Sequence, residues 1–307
     1  MFPYISEQKD FGYSDATKSN NKQGRGSSLF QTAQSLLEKL YKCKNYFSHL
    51  PNSIYEDVLN IDVSDVCIPT YIINLKERTD RRESVLNQFK DRKEFQVTVV
   101  SACKNEIGAV GLWNSICSIV KKAKDEDEDC ILICEDDHVF TENYHVKDFL
   151  RQVMLAGSLG AQLLNGGIGG FGNLVPVKGG LYWCDWFWCT QFIVVYKNAY
   201  DTILNTTFRN SDVADEKLSA ILTNKMVTVP FVSEQTDFGY SDITEENNTP
   251  SNILRYFDDS KNILKHYEYV ERMFSNDNVA SEASYDNIAE YDSLHLGCGH
   301  NILKGVV

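Results

Sequence analysis

Three consecutive carboxylates, Glu135-Asp136-Asp137, follow the apolar run Cys130-Ile131-Leu132-Ile133-Cys134. Acidic groups at the end of a buried strand emerge from a rigid platform. On a strand that continues, alternate side chains share a face, so Glu135 and Asp137 are expected to point the same way. Hard oxygen donors of this kind suit Mg²⁺ or Mn²⁺, and such an ion in turn clamps a diphosphate. A second cluster is the turn Lys76-Glu77-Arg78-Thr79-Asp80-Arg81-Arg82, whose three arginines are placed to hold the phosphates or ribose of a nucleotide. Each cluster alone has a plainer reading, because an acidic protein has acidic strand ends and helix starts are often charged. The run Asp125-Glu126-Asp127-Glu128-Asp129 reads as a solvated loop, since nothing forces its side chains to converge.

The elements that must position these groups alternate between the two periods. Short apolar runs at 71–75, 95–100, 130–134, 162–164 and 191–196 read as strands, the third apolar throughout as central parallel strands are. Helical spacing marks 82–89, 107–123, 146–155, 198–204 and 213–222; in the second of these Leu112, Ile116, Ile119, Val120 and Ala123 share one side. Strands alternating with helices predict an α/β fold, a mostly parallel, Rossmann-like sheet flanked by helices, with ligands at the carboxyl edge of the strands. The arginine turn after the first strand and the acidic triplet after the third are therefore expected to meet at that edge.

With 307 residues, 43% of them hydrophobic, the chain can bury one substantial core. A net charge of −13 argues against a nucleic-acid partner, which needs clustered Lys and Arg. Nine cysteines lack a disulfide-rich spacing, and Cys184 and Cys189 around the aromatic stretch match no zinc pattern. Buried, reduced thiols and a cytoplasmic location are the expectation. No signal peptide and no apolar run of membrane-spanning length are seen.

Ser6-Glu7-Gln8-Lys9-Asp10-Phe11-Gly12-Tyr13-Ser14-Asp15 begins again 227 residues later, at Ser233, with one position changed. That period suits a whole domain. Residues 1–42 are thus expected to be the tail of an upstream copy, able to mediate self-association, followed by a connector at 43–68 and the main domain at 69–274. The polar stretch 275–292 reads as a linker. Residues 293–307, with Leu294-His295-Leu296-Gly297-Cys298-Gly299, resemble the opening strand and Gly-rich turn of S-adenosylmethionine-dependent methyltransferases. The chain is expected to be one piece of a multi-enzyme polypeptide.

Ile72-Ile73-Asn74-Leu75-Lys76-Glu77-Arg78-Thr79-Asp80-Arg81-Arg82 resembles the opening signature of glycosyltransferase family 25, the lipopolysaccharide and collagen galactosyltransferases. Glu106-Ile107-Gly108-Ala109, Ile131 through Asp137, Thr190 through Ala199, and Pro230 through Gln235 with Ser241-Asp242-Ile243 resemble its later blocks, in order. Leu112-Trp113 stands where the second block usually has Ser-His. The Gly166–Gly170 run and the Tyr182–Trp188 stretch have no counterpart in it. The aromatics read equally as a sugar-stacking wall or as core. The resemblance implies a GT-A-like fold and an inverting, metal-dependent transfer from a uridine-diphosphate sugar to a glycan hydroxyl. It places Asn74, Leu75, Arg78, Arg81, Glu135 and Asp136 on the nucleotide sugar, and Asp137 with Glu135 on Mn²⁺ or Mg²⁺. Inversion needs a base on the acceptor hydroxyl. Asp212 is the first choice, with Asp215 and Asp185 behind it, although the first two also suit a helix start. His138 reads as a bystander. A catalytically inactive module that keeps the fold for binding or scaffolding is the competing reading.

Overall fold

The computed structural model describes residues 49–238 and 252–275, with parts of 35–47 before them. The expected tail up to residue 34, the linker from 276 and the Gly-rich end of the chain lie outside the described residues. Two compact units divide the chain at 259/260, and everything below concerns the first; of the second, residues 260–275 are helical.

Helix α1 (Asn52–Leu59) precedes an alternating series: β1 (Ile68–Asn74), α2 (Thr79–Gln88), β2 (Phe95–Ser101), α3 (Gly108–Asp125), β3 (Cys130–Glu135), β4 (His138–Phe140) and α4 (Val146–Ser158). Six short strands follow: β5 (Leu163–Asn165), β6 (Gly170–Phe171), β7 (Leu174–Pro176), β8 (Leu181–Cys184), β9 (Phe187–Trp188) and β10 (Phe192–Tyr196). Then come α5 (Lys197–Leu204), α6 (Ala214–Ile221), β11 (Lys225–Thr228), β12 (Ser233–Gln235) and α7 (Asn252–Ser275).

Eight strands form one sheet in the order β2-β1-β3-β10-β5-β11-β8-β7. Six point the same way; β10 and β8 are reversed. The fold is therefore α/β with a mostly parallel, Rossmann-like sheet flanked by helices. Its parallel part has a direct cause. The β1-α2-β2 unit steps to one side of β1, and β2-α3-β3 crosses back to the other. Right-handed crossovers in opposite directions put their helices on opposite faces.

The core agrees with this. Ile72, Leu132, Cys134, Phe192 and Val194 join Val85 of α2, Phe149 of α4 and Val58 of α1 in one apolar cluster. Neighbours one position along, such as Ile131 and Ile133, turn to the other face, where α3, α5 and α6 pack on one another. Phe47, Val58 and Val63 are buried in the first cluster, so the stretch expected as a connector contributes to the core. On α3 the expected side is buried at Ile116, Ile119, Val120 and Ala123. Among the described residues no helix is long and apolar enough to cross a membrane. Eight described cysteines are free thiols; Cys134 and Cys184 are buried as expected, whereas Cys67 and Cys103 are exposed.

Candidate active site

The order β2-β1-β3 makes a topological switch point between β1 and β3, where the chain leaves neighbouring strands in opposite directions and opens a crevice beyond their carboxyl ends. A crevice of about 800 Å³ lies there. One wall comes from the turns after β1 and β2 and from the start of α3: Leu75, Glu77, Ala102–Glu106, Gly108, Ala109 and Leu112. The triplet and Arg81 form the floor. The opposite wall is Trp188-Cys189-Thr190, Val213–Glu216 and Tyr256. Because β10 is reversed, the residues leading into it arrive at the edge where β1 and β3 end.

The arginine turn and the acidic triplet do meet. Asn74, buried at the end of β1, donates to Asp136 Oδ2 at 2.7 Å and to the Arg78 carbonyl at 3.1 Å, tying the two turns together. Arg81 donates to Asp136 Oδ1 at 3.3 Å, stands 3.9 Å from Asp137 Oδ2, and lies over the Phe238 ring at 4.9 Å. Asp136 is thus consumed by structural contacts. Arg78 occupies the N-cap position of α2, and the crevice wall runs from Glu77 to Arg81 without it.

The triplet departs from the expected geometry. The strand does not continue: Asp136 and Asp137 form a turn between β3 and β4. Glu135 and Asp137 both line the crevice because the chain turns at Asp136-Asp137, and alternation along a continuing strand is not the cause. β12 holds this turn from outside. Thr236 N–H donates to the Asp137 carbonyl at 2.6 Å, Gln235 Nε2 donates to Asp137 Oδ2 at 3.1 Å, and β12 pairs antiparallel with β4. A Cβ on Gly167 would collide with the Ser233 carbonyl, so part of the glycine run exists to let this segment lie close.

Glu135 Oε1 accepts from Thr190 Oγ1 at 2.6 Å. Burial, and then the charge of Asp137, push Glu135 up to about 8. Burial, and then Asp136, push Asp137 up to about 6 against the pull of Arg81 and Gln235. Asp137 Oδ1 is buried with no hydrogen-bond partner. Eight carboxylates line the crevice against two cations, Arg81 and Lys104, and Lys104 is paired with Glu77 at 2.6 Å. The site therefore holds more negative charge than its own cations balance.

The three candidate bases separate. Asp215 lines the crevice, accepts from the Cys189 and Glu216 amides at 2.9 and 2.8 Å, and is raised by burial. Asp212, the first choice from sequence, sits outside that wall. Lys217 at 2.7 Å and the Arg209 amide at 2.8 Å hold it and lower its pKa. Asp185 clamps the loop before β7 through the amide and side chain of Asn173 at 2.7 and 2.8 Å. His138 faces the core, stacked on Phe192 and paired with Ser233 at 2.8 Å, and burial pushes it down to about 3. Sequence reasoning gave no role to Lys104, Cys189 or Thr190 individually. Thr190 and Gln235 stood inside motif blocks, but only tertiary contact shows that they touch the carboxylates.

Among the described residues no group of three or more His, Cys, Asp or Glu is arranged to hold a metal ion by itself. Two hard carboxylates, one with an unpartnered buried oxygen, nonetheless fit an Mg²⁺-type ion, which takes one or two carboxylates and fills its remaining positions with phosphate and water.

No protein-family model matches the chain. No curated protein matches it either. Among solved structures it is similar to the crystal structure of apo UDP-glucose pyrophosphorylase, at 11% identity over 66% of this chain and 82% of that one, with a TM-score of 0.36, a level of likeness that carries no weight for function.

Proposed function

We propose that this crevice binds a nucleotide sugar, with uridine diphosphate as the leaving group, and transfers the sugar with inversion to a hydroxyl of a glycan acceptor. The observation that carries the reading is the Glu135/Asp137 pair: two buried carboxyl groups at the switch point, one oxygen unpartnered, in a crevice lined by eight acidic side chains against two cations. A diphosphate alone would be repelled by such a wall. Asp137 and Glu135 would hold Mn²⁺ or Mg²⁺, which when bound neutralises the diphosphate and stabilises it as a leaving group.

The protein's own residues then do the following. The ends of β1 and β2, with Leu75 and the Ala102–Glu106 turn, receive the nucleoside. Arg81 fixes Asp136 and so the triplet's turn; it acts as a positioning residue. Asp215 takes the proton of the acceptor hydroxyl as that oxygen attacks the anomeric carbon and the bond to the diphosphate oxygen breaks. Burial favours the protonated form that Asp215 reaches, while its two amide contacts keep it ionised beforehand. A side chain placed in this way contributes roughly 10²–10⁴-fold to rate.

The test is calorimetric titration with uridine diphosphate in Mn²⁺ and in excess chelator, followed by a screen of uridine-diphosphate sugars for hydrolysis. Binding only with the metal, and release of free sugar from one donor, is the expected outcome. Binding without any turnover would establish the inactive module, and absence of binding in both conditions would refute the reading.

A further inference from the structure

The far wall of the crevice, beyond the triplet from the nucleotide end, is aromatic, and its conformation is held from several sides. Trp188 is 39% exposed, whereas Trp113 and Trp183 are each 3% exposed. Its ring lies across Gly170, where a Cβ would come within 2.8 Å of Cε3, and β6 and β9 pair Gly170 with Trp188 directly. Trp186 and Tyr256 stand in T-shaped contact with it, ring centroids 4.9 and 6.1 Å away. Its indole N–H donates to Glu216 Oε1 at 3.4 Å. The next residue, Cys189, has φ of 82°, a left-handed conformation that side-chain-bearing residues seldom adopt, and Asp215 holds its amide at 2.9 Å. A large apolar ring is thus fixed open toward the crevice beside two carboxylates.

We infer that this wall is a saccharide subsite for the acceptor, in which the exposed face of Trp188 stacks on a pyranose ring while Glu216 and Asp215 take its hydroxyls. The inference rests on the proposed function and deepens it by assigning the acceptor its residues. A pyranose presents an apolar C–H face and a rim of hydroxyls, which is the complement of an aromatic face flanked by carboxylates. A ring already immobilised loses little freedom on binding, so more of the stacking appears as affinity. A nucleobase would also stack on an indole. The sheet order argues against that occupant: the chain from Trp188 leads into β10, on the side of β3 away from β1 and β2. Stacking here also brings an acceptor hydroxyl to Asp215, the group proposed to deprotonate it.

Saturation-transfer NMR and tryptophan fluorescence with methyl β-galactopyranoside, methyl β-glucopyranoside and methyl α-mannopyranoside test this in the full chain, with and without uridine diphosphate. At least one glycoside should bind the parent. Trp188→Ala should weaken it roughly tenfold or more, Trp188→Phe less, and uridine diphosphate affinity should not change. Gly170→Ala, which displaces the ring without removing it, should weaken saccharide binding as well. Thermal melting checks that each variant is folded. No binding of any glycoside by the parent, or equal binding by Trp188→Ala, overturns the subsite. A tenfold loss of uridine diphosphate affinity in Trp188→Ala would instead make Trp188 a nucleobase platform and overturn it too. Failure of the nucleotide-sugar reading would show differently, as a parent that binds no uridine diphosphate whatever its glycoside binding.

Discussion

The two walls of the crevice are built by different means. The wall at β1 and β2 is made of strand ends and a helix start, with residues such as Leu75, Ala102 and Gly108, and any βαβ repeat would place them at this edge. The opposite wall is made of Trp188, Tyr256, Asp215 and Glu216, delivered by the small β6-β9 sheet and by the first turns of α6 and α7, from distant parts of the chain. The first wall follows from topology, and the second from contacts particular to this sequence. A general binding step is expected to depend on the first, and the chemistry and choice of acceptor on the second.

The largest effect should separate the walls outright. Asp215→Asn is expected to lower turnover roughly 10²–10⁴-fold while uridine diphosphate affinity stays within about twofold of the parent. Single-turnover kinetics beside calorimetry decide it; equal losses in both would place Asp215 on the donor instead.

Next in size, Asp137→Asn should weaken Mn²⁺-dependent uridine diphosphate binding by about a hundredfold. The fold should survive, because Arg81 keeps Asp136 as a partner. Retention of the parent's metal dependence would remove Asp137 from the metal site.

A smaller effect concerns pH. The folded state raises Glu135 from 4.5 to about 8, so between those values it holds a proton that the unfolded chain has released. Stability contributed at this position is therefore present below about pH 4.5 and is lost as pH rises toward 8, with a limiting slope of about 1.4 kcal/mol per pH unit for one proton. Glu135→Gln cannot ionise, so its melting temperature relative to the parent should climb from pH 5 to pH 8 in the absence of divalent ions. A difference that is flat across that range would mean that the carboxylate is not strained by its surroundings. His138, lowered to about 3, has the opposite dependence, but it is common to both proteins and cancels in the difference.

The smallest effect is the control. Asp212→Asn breaks a partly exposed pair with Lys217 outside the crevice and should leave turnover within about twofold. A loss matching that of Asp215→Asn would reverse the two assignments.

Much of the first wall is legible in the sequence. Apolar runs fix β1 and β3, and the rule that ligands gather at carboxyl edges brings Arg81 to the triplet. The rest depended on information that local patterns do not carry. Asp136 and Asp137 are chemically alike, and only the positions of Asn74 and Arg81 make the first a satisfied structural group and leave the second with a free oxygen. Asp212 and Asp215 are separated by less than one helical turn, so their different fates follow from where α6 points. The reversal of β10 was illegible because an apolar strand buried on both faces looks the same in either direction. The two-residue strands β6 and β9 are too short for any periodicity, and the glycine run gains meaning only beside Trp188 and Ser233.

The brace on the acidic turn has a consequence for how the molecule is made. Gln235 and Asp137 are 98 residues apart in sequence, and their contact, with the Thr236 amide, gives the turn its shape. A chain emerging from a ribosome has β1, β2 and β3 available early, since each needs only neighbours already synthesised. It cannot set the geometry of the Asp137 carboxylate until residue 236 has been added and β12 has closed on β4. During synthesis the molecule therefore passes through an interval in which the sheet can form but the acidic floor is unset. A released chain truncated after residue 232, which keeps all eight strands of the sheet, should fold that sheet and fail to bind uridine diphosphate with Mn²⁺.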